Sequence, residues 1–158
     1  MSRYHLAQIN IARALKPLND PLLADFMVQI APVNALADTA PGFVWRLQSE
    51  YGVGATEIQA FDDKYILINM SVWESVEALH EFTYKGMHLG VFRDRRKWFE
   101  ALDKPILAMW WIPAGHVPTV EEGKEKLELL QKLGPTAEAF HFRAPFPSPD
   151  QTGLAAGG

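Results

Sequence analysis

The sequence predicts an α+β domain in which one antiparallel sheet, threaded in the split βαβ order, carries helices on one face. Three observations predict it. Segments with the period-two alternation of strands are interleaved with segments whose apolar residues recur every three or four positions. Tyr65 to Trp73 sets Ile66, Ile68, Met70 and Val72 on one side and Tyr65, Leu67, Asn69, Ser71 and Trp73 on the other, a uniformly apolar face against a mixed one. The 158 residues are 48% hydrophobic and 22% charged, which is enough apolar material for one substantial core.

Tyr4 to Ile11 alternates as a strand, and Lys16 to Pro21, with a proline at each end of an Asn-Asp turn, closes it. Leu22, Leu23, Phe26, Met27 and Ile30 follow at helical spacing. Pro32, which has no N–H for the helical ladder, is expected to break that helix in two before Val33, Leu36 and Ala37 continue it. Phe43 to Gln48, aromatic and β-branched, reads as the next strand, and Gly52 and Gly54 separate it from another at Thr56 to Phe61. After the turn at Asp62 to Lys64 comes the strand Tyr65 to Trp73. Ser75 is an N-cap and Glu77 a favourable first-turn charge for a helix running towards Leu102. Gly86 and Gly90 each weaken that helix by about 1 kcal/mol relative to alanine, so a bend is expected near Lys85 to Met87. Ile106 to Ile112 is a buried strand, Val120 to Leu133 an amphipathic helix stopped by Gly134 and Pro135, and Ala139 to Arg143 a last short strand. This is the order of a ferredoxin-like βαββαβ sheet with an added C-terminal helix and strand.

The apolar face is the one the helices should cover. The mixed face, with surplus tryptophan in the neighbouring strand, is too apolar for water, and a second sheet packed against it is the usual remedy, so a homodimer is expected. Residues 1–147 are read as a single domain and 148–158, rich in Pro, Ser and Gly, as a flexible tail.

Composition narrows the functions. A formal net charge of −4 provides no basic footprint, so no nucleic-acid partner is expected. The chain has no cysteine, which removes disulfides, thiol catalysis and thiolate metal sites. It shows neither an export leader nor an apolar run of the ~20 residues that span a bilayer, so no membrane association and a cytoplasmic location are expected. No two of the 5 histidines have a carboxylate partner at a metal-site spacing such as HExxH, so no metal site is expected.

The candidate site residues cluster between Asn69 and Glu100, where His80, Tyr84, His88 and Arg95 recur at helical spacing. Asn10 and Asn69 stand out because asparagine is depleted in strands and each brings several hydrogen-bonding sites to an apolar layer. Trp110 and Trp111 point to opposite faces of one strand, one into the core and the other towards a dimer interface or a pocket wall.

The opening strand ending in Gln8-Ile9-Asn10, and Val72-Trp73-Glu74-Ser75 at a strand-to-helix junction, resemble the dimeric α+β barrel superfamily, which includes antibiotic-biosynthesis monooxygenases and haem-degrading monooxygenases. The phrases FVWRL, SVWESVEALHEF, RRKWFE, AMWWIPAGHVPTVEEG and HFRAPFP more closely resemble a family within it known only as a domain of unknown function, over nearly the whole chain up to Pro147. The resemblance implies pairing as a dimeric α+β barrel. From the haem-degrading members it implies a set of Asn10, Phe82 at their tryptophan position, and His88 as axial ligand, after a gap of about one helical turn. From the cofactor-independent members it implies a pocket of Asn10, Trp73, His80, Tyr84, His88 and Arg95 that stabilises a substrate carbanion and admits oxygen.

The resulting expectation is a cofactor-free oxygenase of the antibiotic-biosynthesis-monooxygenase type, acting on an aromatic or polyketide-like molecule. His88 would be the general base, and Tyr84 and Asn10 the donors to an oxyanion. Trp73, His80, Phe82, Arg95 and Trp111 would contact the substrate. Two alternatives stay open: a non-catalytic dimer binding a small hydrophobic ligand, and a haem-binding protein with a neutral imidazole on iron.

Overall fold

Two central strands organise the sheet. β1 (Tyr4–Arg13) and β3 (Ile66–Trp73) pair antiparallel from Leu6 opposite Trp73 to Arg13 opposite Ile66. β4 (Leu107–Pro113) flanks β1, and β2 (Phe43–Arg46) flanks β3, giving the order β2-β3-β1-β4 with every neighbour antiparallel. α1 (Ala24–Asp38) connects β1 to β2, and α2 (Val76–Tyr84) lies between β3 and β4. This is the ferredoxin-like βαββαβ order, with α3 (Val120–Leu133) as the added helix. The computed structural model describes residues 3–17, 19–48, 61–84 and 93–150. The strand expected at Thr56 to Phe61 (except Phe61 itself), the bend expected near Lys85 to Met87, and His88 lie outside the described residues.

The alternation along β1 divides the core in two. Ala7, Ile9 and Ile11 share a face with Ile68, Met70 and Val72 of β3 and with Ala108, Trp110 and Ile112 of β4, and Leu127 and Leu130 of α3 pack on it. Full burial of each large aliphatic side chain here contributes roughly 1.5–3 kcal/mol. Gly123 brings α3 in close, because a Cβ there would stand 3.0 Å from the ends of both Ile9 and Met70. Glu122, in the first turn of α3, ties the helix to the sheet: it accepts from the Trp110 indole at 2.8 Å and lies 2.8 Å from His116 Nε2. Burial pushes its carboxyl up, but these two contacts outweigh burial and hold it below its ordinary value. The stop of α3 is as expected, with Gly134 at φ +75°, and Thr119 caps its start by accepting from Glu122 N–H.

The opposite face holds Leu6, Gln8 and Asn10 beside Trp73, Ser71 and Asn69 and, in β4, Trp111, Met109 and Leu107. It is not left bare for a second sheet. Leu79 and Phe82 of α2 and Phe140, Phe142 and Phe146 of the C-terminal segment cover one end of it around Leu6, Trp73 and Met109. The expectation that the helices cover the apolar face and leave the mixed face for a partner sheet is thus corrected: α2 and the late phenylalanines cover one end of the mixed face, and α3 is the helix packed on the apolar face. Gly42, at φ +82°, allows α2 to approach: a Cβ there would be 2.6 Å from that of Ala78.

α1 runs unbroken through Pro32, against expectation. Proline removes the bond to the carbonyl of Val28, but Val28 is 70% exposed and Pro32 is exposed too, so the break in the ladder falls on the open side of the helix. The helix is pinned at its ends. Phe26 meets Trp98 and Phe99 at ring distances of 5.5 and 4.9 Å, and Asp38 pairs with Arg46 at 2.7 Å. The helix expected to reach Leu102 does not do so: Arg95–Lys97 is a 3-10 turn, and Trp98 to Glu100 hydrogen-bond the end of β1 at Arg13 and Leu15. Burial of Trp98 with Ala14 and Leu23 draws the chain there.

The expected strand at Ala139 to Arg143 is reduced to two isolated bridges, Ala139 with Thr136 and Phe140 with Met109, the latter joined by hydrogen bonds of 2.8 and 2.9 Å. A turn stops it at once, with Ala144 N–H on the carbonyl of His141. Ser148 is buried and hydrogen-bonds Asp150, which also accepts the Arg3 N–H at 3.3 Å, so the chain stays attached to the body through Asp150.

Candidate functional site

Where the second face runs out from under α2, it becomes polar. Gln8 and Asn10 follow one another on β1, Asn69 and Ser71 do the same on β3, and the register sets Gln8 opposite Ser71 and Asn10 opposite Asn69. The four make one network. Gln8 Nε2 donates to Asn69 Oδ1 and to Ser71 Oγ, both at 2.8 Å. Asn10 Nδ2 donates to Gln8 Oε1 at 2.9 Å and to Asn69 Oδ1 at 3.1 Å. Ser71 Oγ also accepts from the Trp73 indole at 2.8 Å. With Gln8 only 2% exposed, a cluster like this is tolerable in an apolar layer because its members satisfy one another.

The donors and acceptors left over define the chemistry. Both N–H bonds of Asn10 and both of Gln8 are spent inside the network, as is Asn69 Oδ1. Among the described residues, Asn69 Nδ2, the Ser71 hydroxyl hydrogen and Asn10 Oδ1 have no partner. The donor role expected of Asn10 therefore falls to Asn69, and Asn10 keeps an acceptor.

These residues floor a cavity of about 710 Å³. Phe26, Ile30 and Val33 of α1 and Leu79, Phe82 and Thr83 of α2 wall it, with Phe99, Leu107 and Phe142. The Thr83 hydroxyl donates to the Leu79 carbonyl at 2.8 Å, so that wall behaves as apolar. Tyr84, Arg95, Arg96, Lys104 and Arg143 lie at the exposed rim, and His141 also lines the space. The Arg143 N–H donates to His141 Nδ1 at 3.2 Å, which leaves the proton of the neutral ring on Nε2.

Of the residues predicted from sequence, Asn10, Phe82, Tyr84 and Arg95 line this cavity together. Trp73 does not: it is 1% exposed behind the floor, stacked on Phe82 at 5.1 Å and edge-on to Phe43 at 5.4 Å. His80 stays outside the lining, with its ring 4.6 Å from that of Tyr84 and 5.3 Å from that of Phe142. Trp111 is neither pocket wall nor bare surface, since its indole donates to the Phe146 carbonyl at 2.9 Å beneath the C-terminal segment. Gln8 and Ser71 were not among the predicted residues. The available signal was two polar residues at i and i+2 in each of two otherwise apolar strands.

A haem would need an axial ligand. In α2, His80 offers none to the cavity, because its ring is turned to Tyr84 and Phe142, and His88, the axial ligand that the resemblance implies, lies outside the described residues. Among the described residues no group of His, Cys, Asp and Glu is placed to hold a metal ion. No described helix is long and apolar enough to cross a membrane.

Fold and site together define a ferredoxin-like α+β protein with an amide-floored cavity. Residues 5–155 match the sequence profile of a family described as a domain of unknown function, DUF3291, and the chain belongs to that family. No curated protein matches it. Among solved structures it is similar to PA3566 from Pseudomonas aeruginosa, at 13% identity and a TM-score of 0.47, covering 73% of this chain and 98% of that one. It is similar to Rv0793 from Mycobacterium tuberculosis at 12% identity and a TM-score of 0.47, covering 73% and 99%. It is also similar to SnoaB, a cofactor-independent oxygenase from Streptomyces nogalater, at 14% identity and a TM-score of 0.46, covering 72% and 95%.

Proposed function

We propose that this protein is a cofactor-free oxygenase acting on a flat, aromatic or polyketide-like molecule in the amide-floored cavity. One observation supports the reading: in a mostly apolar cavity of about 710 Å³, the Asn69 amide N–H groups and the Ser71 hydroxyl hydrogen have no partner among the described residues. Fixed donors in a low-dielectric site are what a developing oxyanion needs, because they cost no reorganisation when the charge appears.

The chemistry suited to this floor begins at a CH₂ group activated by neighbouring rings and a carbonyl. A base removes one proton, and the charge moves to the carbonyl oxygen, held by Asn69 Nδ2–H and the Ser71 hydroxyl, with Tyr84 as a further donor from the rim. The electron-rich carbon then reduces O₂. One oxygen atom stays on carbon as a new carbonyl and the other leaves as water, so that R₂CH₂ + O₂ gives R₂C=O + H₂O. His88 remains the proposed base, and Asn10 Oδ1 orients a substrate hydroxyl.

Dissolved-oxygen uptake with 9-anthrone as probe tests this. Asn69→Asp keeps the acceptor that Gln8 and Asn10 use but replaces the donating NH₂ with a negative oxygen. It is expected to lower kcat/KM by roughly 100-fold or more while leaving Tm nearly unchanged. Binding of anthrone without oxygen uptake would select the non-catalytic ligand-binding reading, and a Soret band in the purified protein would select haem. The protein is further proposed to be a homodimer, a reading supported by the apolar residues Met27, Val28 and Leu36 that α1 leaves exposed. A native mass spectrum is expected to show two subunits, and a bare monomer would refute it.

A further inference from the structure

We infer that the cavity selects an anionic aromatic molecule: a flat apolar body carrying a hydroxyl or keto oxygen at the floor and a carboxylate at the rim. The inference rests on the reading of the cavity as a small-molecule site. Beside Arg95, three further cations from separate segments line its rim: Arg96 in the 3-10 turn, Lys104 before β4, and Arg143 after the Phe140 bridge. In a chain of net charge −4 this concentration runs against the average. None of the three is paired with a carboxylate among the described residues. The one carboxylate in the described lining, Glu100, is held by Arg13 at 3.1 Å and so does not neutralise them.

The physical consequence is directional. Apolar walls keep field lines from the rim cations within the cavity, so an anion entering it is attracted and a cation is repelled. Two of the three are arginines, whose planar fork matches a carboxylate in two parallel hydrogen bonds. The floor places its free donors and acceptor at the other end, on Asn69, Ser71 and Asn10. A ligand that uses both ends has its oxygen and its carboxylate on opposite sides of a ring system, and a cavity of about 710 Å³ has room for two or three fused rings.

A matched pair of probes isolates the charge: 6-hydroxy-2-naphthoate and its neutral amide, titrated calorimetrically into the full chain. The acid is expected to bind about tenfold more tightly than the amide at low ionic strength, with most of that advantage lost in roughly 0.5 M salt. Combining Arg96→Glu, Lys104→Glu and Arg143→Glu is expected to abolish or invert the preference. The glutamine versions should fall between, and amide affinity should stay within about twofold of the parent, since all three side chains are exposed and leave the fold intact. Equal affinity of the parent for acid and amide, or a preference that survives charge reversal, overturns the anionic selectivity and leaves the cavity reading standing. Binding of neither compound overturns both.

Discussion

Trp73→Ala is expected to cost about 4 kcal/mol of folding stability, which for a chain of this length lowers Tm by roughly 8–16 °C. The indole is 1% exposed, sits opposite Leu6 across the β1–β3 ladder, stacks on Phe82 at 5.1 Å and meets Phe43 edge-on at 5.4 Å. Deleting it removes the transfer energy of the largest side chain on this face and leaves a void that Leu79, Phe140 and Phe82 cannot close without moving the sheet. Trp73→Phe separates the two contributions. It keeps most of the ring contact and loses only the 2.8 Å indole bond to Ser71, for about 1 kcal/mol. Urea unfolding at constant m-value measures both. Because Trp73 lies behind the cavity, Trp73→Phe is also expected to leave probe affinity close to that of the parent, and a large loss of affinity would put the indole back in contact with the ligand.

Gln8→Leu is expected to lower stability by roughly 2–3 kcal/mol and, separately, probe affinity by about tenfold or more. Gln8 is 2% exposed and joins both strands, donating to Asn69 and Ser71 and accepting from Asn10. Leucine has nearly the same volume, so the loss would report hydrogen bonding more than packing. Asn10 would lose one of its two acceptors, and Asn69 would lose the shorter of the two hydrogen bonds that fix the direction of its amide. Thermal unfolding with a titration of 6-hydroxy-2-naphthamide reads the two effects on one sample. A stable variant that binds like the parent would mean that the network neither supports the fold nor orients the floor.

Much of this was legible along the chain, and the reason is local. Capping residues and glycine stops act within one turn, which is why the start of α2 and the end of α3 lie where Ser75 and Gly134 place them. Side-chain parity in a strand is also local, so the separation of Ile66, Ile68, Met70 and Val72 from Asn69, Ser71 and Trp73 was readable in a single segment. The errors came where local preference met long-range packing. Pro32 sits in a continuous helix because the Val28 carbonyl that it leaves unbonded lies on an exposed side of the helix, and the helix expected to reach Leu102 ends early because Trp98 finds a buried place beside Ala14 and Leu23.

The site divides along the same line. By itself the sequence determined that β1 and β3 each carry a polar pair at i and i+2 on one face, that the helix after Trp73 brings aromatics behind them, and that no cysteine chemistry is available. Only the tertiary structure decided that Gln8 lies opposite Ser71 and Asn10 opposite Asn69, so that four side chains become one network with the Asn69 donors left over. It alone placed α1 across that floor and brought Arg96, Lys104 and Arg143 to one rim. Strand register and the meeting of distant segments are set by which apolar surfaces can be buried together, a property of the whole chain that no single segment encodes.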